Sequence, residues 1–313
     1  MMKQTLKVAL LASFCCALWG SAFPVVKVGY ALQQIEVGAP ASQILYAGLR
    51  FLMAGLIALI GLWKIAPKEL VPKRDAWPAI LVIGSFQTIL QYFFFYIGVA
   101  HTTGVKASII AGSNVFMALF VARFVFRLEK LTRAKLIGAM IGFIGIVVIN
   151  MDFATFDLHM TMLGEGFIVL TTLSYAFSSA FMKKYGQRHL PLVLVTYQFI
   201  LGGSVMILAG LSFGGVIGAF SLKSAGVLLY LSLVSAVAYG IWSYLLKRYP
   251  VSSVAVYGFT NPIFGVAFSA IFLGEYDQLL NLKTGVSLLL VSLGIYIINR
   301  RQAPVMTSDI NKA

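Results

Sequence analysis

Hydrophobic positions in this chain neither alternate nor keep to one helical face. They fill unbroken windows of about 20 residues, the length at which a helix crosses a bilayer. Ten such windows are predicted, at 8–29, 41–63, 77–99, 104–126, 134–150, 163–182, 191–212, 225–246, 252–273 and 284–299. The fifth and tenth are short. The connections between them are mostly short as well and leave no room for a separate soluble domain. The pattern predicts an all-α membrane protein of ten transmembrane helices.

Composition agrees. Of 313 residues, 60% are hydrophobic and 11% charged, and mean hydropathy is +0.91. A soluble domain is nearer half apolar and a quarter charged. The formal net charge of +14 raises a nucleic-acid surface as an alternative, and the placement of the charges decides against it. With the N-terminus in the cytoplasm, every Lys and Arg except Lys27, Arg50, Lys106, Lys223 and Lys283 falls on the cytoplasmic side. That is the positive-inside bias, with both termini cytoplasmic. Lys3 and Lys7 ahead of a stretch ending in "WGSAF" also fit a secretory signal cut after Ala22. The length of the stretch and its counterpart in the second half favour a first span. Cys15 and Cys16 are adjacent and offer neither a disulfide framework nor a metal-ligand spacing.

The windows repeat. At an offset of 147, Tyr92 falls on Tyr239, Asn114 on Asn261 and Gly138 on Gly285; Glu129 meets Glu275 after a one-residue slip. "SAF" at 21–23 matches "SAF" at 179–181. The chain therefore divides into a first five-helix repeat at 1–150, a second at 151–302, and a disordered cytoplasmic tail at 303–313. An odd number of spans makes the second copy enter the bilayer inverted. Inverted repeats with a site near the midplane are the architecture of many secondary transporters.

Polar residues inside apolar windows are the candidate site. Asn114 and Asn261 need hydrogen-bond partners in hydrocarbon and face the bundle interior, either as interhelical contacts or as lining of a substrate path. Gln87 and Gln91 at i and i+4 share a face, with Tyr92, Phe95 and Tyr96 beside them. Trp19 and Tyr175 sit mid-window, away from the interfacial belt. Trp242 lies nearer the cytoplasmic end, where belt anchoring competes with cavity lining. Lys27 is close enough to a window end to snorkel. Arg50 lies about 13 Å in, at 1.5 Å per residue, and needs carbonyls, a helix end or an anionic substrate group. No Asp or Glu falls at mid-window, so no buried proton-binding dyad is visible. Glu129 and Glu275 sit at equivalent window ends, placed to accept from the amides of the next helix. Gly138, Gly142 and Gly145 form a small-residue face for packing on the last helix or on a second protomer in a homodimer.

"ALWGSAFPVVKVG" (17–29), "LRFLMAGLIAL" (49–59), the stretch 104–150 and "AYGIWSYLLKRYPVSSVAVYGFTNPIFGVAFSAIFLGE" (238–275) together resemble the drug/metabolite transporter superfamily, EamA-like branch. Lys27 and Arg50 match basic positions of that pattern. The resemblance implies a ten-helix carrier of small metabolites or drugs in the bacterial cytoplasmic membrane, often an exporter of amino acids or related compounds. One departure is "SNV" at 113–115, where the family has a Pro; "TNP" remains at 260–262. A Pro-dependent bend is thus expected in the ninth window and not in the fourth.

The expected partners are a small-molecule substrate and the lipid bilayer, with no nucleic acid and no cofactor. No GxxxxGK[ST] loop provides for ATP. A flippase for lipid-linked substrates is the nearest alternative. A membrane enzyme is disfavoured, since the carboxylates are scattered and no HExxH or Cys–His set occurs. A structural or signalling protein has no use for midplane polar residues in an inverted repeat.

Overall fold

A computed structural model of the chain describes residues 2–126, 132–152, 157–248 and 256–300. The expected tail at 303–313 and Glu129 lie outside these residues. The regular structure of the described chain is helical apart from one short antiparallel ladder, β1 (Met151–Asp152) with β2 (Asp157–Leu158).

The first half runs through α1 (Met2–Leu32), α2 (Pro40–Ile65), α3 (Trp77–Ile83), a π-helical stretch Gly84–Leu90, and α4 (Gln91–Ala100). It continues as α5 (Gly104–Ala111), α6 (Asn114–Phe120) with a π-helical end Val121–Val125, and α7 (Arg133–Asn150). The second half has a π turn Met162–Gly166 leading into α8 (Phe167–Tyr185), α9 (Pro191–Ser212) and α10 (Leu222–Arg248). A 3-10 turn Val256–Phe259 then precedes α11 (Thr260–Leu273), α12 (Tyr276–Leu279) and α13 (Leu282–Arg300).

Local chemistry sets the ends. Pro40 and Pro191 open α2 and α9, where the missing N–H is no loss. Thr103 and Thr132 cap α5 and α7 by accepting from the amides of Lys106 (3.2 Å) and Lys135 (3.3 Å). Gly274, at φ +69°, takes the left-handed turn that follows α11.

Seven of the described helical stretches are long and apolar enough to cross a membrane, and two shorter apolar helices, Thr260–Leu273 and Leu282–Ile297, accompany them. This is a coarser result than the ten spans expected. The sixth window falls outside both groups; α8 carries Thr171, Thr172, Ser174, Ser178, Ser179, Lys183 and Lys184, which lower its hydropathy. The interior is largely apolar, as in a soluble bundle, but the exterior is apolar as well. Phe143, Leu208 and Leu289 are all more than 60% exposed, whereas Arg50, Gln43 and Gln198 are buried. Such an apolar exterior suits lipid, and the polar groups turn inward.

Helix neighbours follow a regular scheme. α2 packs along α9, α7 along α13, and α5 against α11. α1 lies on α10 and α11, while α8 lies on α4 and α6. Small residues let the backbones approach. A Cβ on Gly203 would sit 2.4 Å from the Leu52 nitrogen, and one on Gly294 would sit 2.4 Å from the Gly138 oxygen. The Gly138, Gly142 and Gly145 face therefore packs on the last helix: Gly145 meets Ser287, and Gly142 also meets the Phe116 ring.

Candidate functional site

The two helix breaks build the centre. α5 stops at Ala111, the chain turns through Gly112 and Ser113, and Asn114 opens α6. The fourth window thus breaks without a proline. In the ninth window the 3-10 turn ends at Phe259, and Asn261 and Pro262 fall in the first turn of α11, where Pro is tolerated. Both Asn residues therefore stand at the start of a helix in mid-bundle. Discontinuous helices of this kind are tolerated at membrane depth where they line a cavity.

A cavity of about 80 Å³ lies there, lined by Trp19, Ala22, Phe23, Arg50, Gln91, Tyr92, Phe95, Ala111, Asn114, Thr171, Thr172, Tyr175, Tyr239 and Asn261. At roughly 10–15 Å³ per water it has room for several waters or a small organic group. The lining alternates in kind. Phe23, Phe95, Ala22 and Ala111 form apolar wall, and the remaining residues present amide, hydroxyl, indole or guanidinium groups. Among the described residues, no Asp or Glu lines it. The hydroxyls of Tyr92 and Tyr239 meet at 2.9 Å, so two residues matched by the 147-residue offset touch each other. Gln91 Oε1, Asn261 Oδ1 and Trp19 Nε1 are buried with no hydrogen-bond partner among the described residues.

Arg50 is 1% exposed. Its Nε donates to the Leu231 carbonyl (3.0 Å) and to Ser235 Oγ (3.2 Å), and Nη1 donates to the Tyr96 hydroxyl (3.1 Å). Its Cζ lies 5.1 Å from the centre of the Phe51 ring and 5.7 Å from that of Tyr92, within cation–π range.

Trp19, Arg50, Gln91, Tyr92, Asn114, Tyr175 and Asn261 are thus brought together, while the other three candidates lie elsewhere. Gln87 does not share the Gln91 face. The intervening backbone is π-helical, with the Gln91 amide bonded back to Phe86 O. The widened turn rotates Gln87 toward α9, where its Oε1 accepts from Gln198 Nε2 at 3.3 Å. Trp242 packs edge-on behind Trp19, with ring centres 5.1 Å apart. Lys27 donates to the Thr102 carbonyl, in the turn between α4 and α5 at the end of the bundle. Thr171, Thr172 and Tyr239 complete the lining. A Thr pair in an otherwise apolar window was the available signal for the first two, and the repeat partner Tyr92 for the third.

One end of the bundle is tied across its two halves. Glu275, just beyond α11, accepts from the amides of Gly104 (3.1 Å) and Val105 (3.0 Å) at the start of α5. The amides of the helix that follows it were the expected partners. α11 packs on α5, which brings that N-terminus closer. Nearby, Glu165 accepts from Thr102 Oγ1 (2.6 Å) and the Thr161 amide (2.9 Å), with Lys106 Nζ at 3.7 Å. Between this end and the cavity, α1, α5 and α11 meet closely: a Cβ on Gly265 would fall 2.4 Å from Ser108 Cβ, and one on Gly20 would fall 2.8 Å from the Gly265 nitrogen.

Comparison with known proteins gives a consistent picture. The EamA-like transporter family profile matches residues 6–151 and again residues 162–300. The chain is 28% identical to the uncharacterized transporter YvbV of Bacillus subtilis (strain 168), over 96% of this chain and 94% of the relative. It is 29% identical to a probable amino-acid metabolite efflux pump of Salmonella typhimurium, over 92% and 93%. A similarly described pump of Escherichia coli (strain K12) is 27% identical, over 93% and 94%. One solved crystal structure superposes with a TM-score of 0.64 at 16% identity, covering 92% of this chain and 95% of the other, which bears on the fold alone.

Proposed function

The chain belongs to the EamA-like transporter family, and from that premise we propose that it is a secondary carrier exporting small amphipathic metabolites, amino acids or related compounds, by alternating access. In this reading ten helices cross the cytoplasmic membrane of a bacterium as two inverted five-helix repeats, 1–150 and 151–302, with both termini in the cytoplasm. The neighbour scheme supports it. Exchanging each of the ten predicted windows for the one five windows along turns the α1–α10 contact into α8–α4 and the α1–α11 contact into α8–α6, and maps α2–α9 and α7–α13 onto themselves. The matching of one family profile to each half supports it too. Sidedness rests on the distribution of Lys and Arg.

The observation that carries the carrier reading is the central cavity, lined from both halves of the chain and furnished with unpartnered polar atoms. Unmet amide and indole groups in an apolar interior are costly, and a hydrated or substrate-filled chamber relieves that cost. No carboxylate lies among the described lining residues, and in this reading the carrier works as a facilitator or exchanger, with proton coupling through an end-located group such as Glu129, Glu275 or His101 as the alternative. Counterflow in proteoliposomes with labelled amino acids, polyamines, nucleosides and cationic dyes tests the function. Saturable exchange of at least one class is expected, altered by Gln91→Ala and Asn261→Ala with membrane insertion intact. Flux no greater than that of empty vesicles would sink the proposal. Flux that substrate alone cannot drive, and that collapses with the proton gradient, would refute the facilitator part.

A further inference from the structure

Among the described residues, Arg50 is the one cation in the cavity lining, and no anionic residue accompanies it there. A guanidinium does not deprotonate in proteins, so the chamber carries a permanent unit of positive charge. Every partner of Arg50 among the described residues is a dipole or a ring face: the Leu231 carbonyl, the Ser235 and Tyr96 hydroxyls, and the Phe51 and Tyr92 rings. Nε and Nη1 are committed to those contacts, and Nη2 makes no hydrogen bond to the described residues. A charged group at membrane depth pairs with an opposite charge or with backbone carbonyls; Arg50 has one carbonyl and two hydroxyls, and no carboxylate among the described residues neutralises its charge.

The rest of the lining has a complementary polarity. Gln91, only 7% exposed, presents an unpartnered Oε1. Asn261 presents an unpartnered Oδ1, and Trp19 an unpartnered N–H donor. Lys27 takes no part, being bound to the Thr102 carbonyl.

We infer that Arg50 determines charge selectivity: the cavity takes solutes bearing a carboxylate and excludes cations that lack one. This rests on the carrier reading and deepens it. The missing counter-charge arrives with the solute, whose carboxylate lies against Arg50. An amino or hydroxyl group of the same solute donates to the amide oxygens of Gln91 and Asn261. A short apolar body rests on Phe23 and Phe95. Zwitterions and monoanions satisfy this arrangement. Simple amines meet an uncompensated positive charge in a low-dielectric chamber, where like charges repel strongly.

Matched carbon skeletons provide the test. Thermal stabilisation of the purified full-length chain is titrated with L-serine, L-leucine and L-phenylalanine, with the deaminated acids 4-methylpentanoate and 3-phenylpropanoate, and with ethanolamine, 3-methylbutylamine and phenethylamine. At least one acid should act at concentrations about 10- to 100-fold below those of the amine of the same skeleton, the span of a charge-assisted hydrogen bond. Arg50→Lys should keep the preference, and Arg50→Gln should erase it. Amines that equal their acids, a failure of every acid to stabilise, or a folded Arg50→Gln variant that keeps the preference would each overturn the inference. If Arg50→Gln does not fold, the wild-type series and Arg50→Lys decide. Saturable counterflow of tetraphenylphosphonium with no carboxylate binding would defeat this inference and leave the carrier reading intact. Carboxylate binding without flux of any solute would do the reverse.

Discussion

Replacing Glu275 should loosen one mouth of the bundle. Its carboxylate accepts two amide hydrogen bonds, at 3.1 and 3.0 Å, from the first residues of α5. A hydrogen bond to a charged acceptor contributes about 1.5–3 kcal/mol. Glu275 is only half-buried, so solvent screening brings the pair to about 2 kcal/mol in total. If the contact exists in the closed form and not in the open one, Glu275→Ala shifts that equilibrium by roughly 30-fold. Glu275→Gln keeps one acceptor and loses the charge, and should shift it by about half that free energy, roughly 5-fold. The assay is labelling of Phe23→Cys, a lining residue, by a membrane-impermeant thiol reagent applied from the Glu275 side, with Cys15 and Cys16 replaced by Ala. The labelling rate should rise by these factors, Ala above Gln above wild type. Unchanged labelling, accompanied by a lower melting temperature, would refute the argument and leave Glu275 as a helix cap alone.

Other expectations follow from single contacts. Gln91→Ala should raise the apparent KM for a transported solute with little change in melting temperature, whereas Gln87→Ala should cost about 1 kcal/mol of stability by leaving Gln198 Nε2 without its acceptor and leave KM unaltered. A double-mutant cycle of Tyr92→Phe and Tyr239→Phe should give a coupling of about 0.5–1.5 kcal/mol in thermal unfolding, from their shared hydroxyl contact; independent effects would contradict it. Gly203→Leu should abolish the monodisperse folded form in size-exclusion chromatography, because even a Cβ there meets the Leu52 backbone.

Much of this arrangement could be read from the residues because hydrocarbon penalises polar groups wherever they fall. Asn114, Asn261, Gln91, Trp19 and Arg50 stand out in apolar windows and converge on the cavity for the same reason they stand out. The 147-residue offset matched Tyr92 with Tyr239, but their contact is a finding of the structure, since repeat equivalence alone does not place two residues side by side. What escaped was local geometry. Nothing in "GSFQTIL" marks it as π-helical, so the helical spacing of Gln87 and Gln91 misplaced Gln87. The break ahead of Asn114 forms at Gly112–Ser113, where no proline advertised it. Lys27 sits near a window end, and its partner there, the Thr102 carbonyl, is distant in sequence and could not be named from it. The Glu275 contact is likewise invisible to a local reading, because its partner amides come from a helix 170 residues earlier in the chain.

The most direct measurement is the sidedness of loops that the inverted arrangement brings to the same membrane face. Lys68→Cys and Arg188→Cys, each exposed and in opposite halves, should label with an impermeant thiol reagent from the cytoplasmic side only, and Val37→Cys from the other side only. Labelling of Lys68→Cys and Arg188→Cys from different sides would contradict the two-repeat carrier at its foundation.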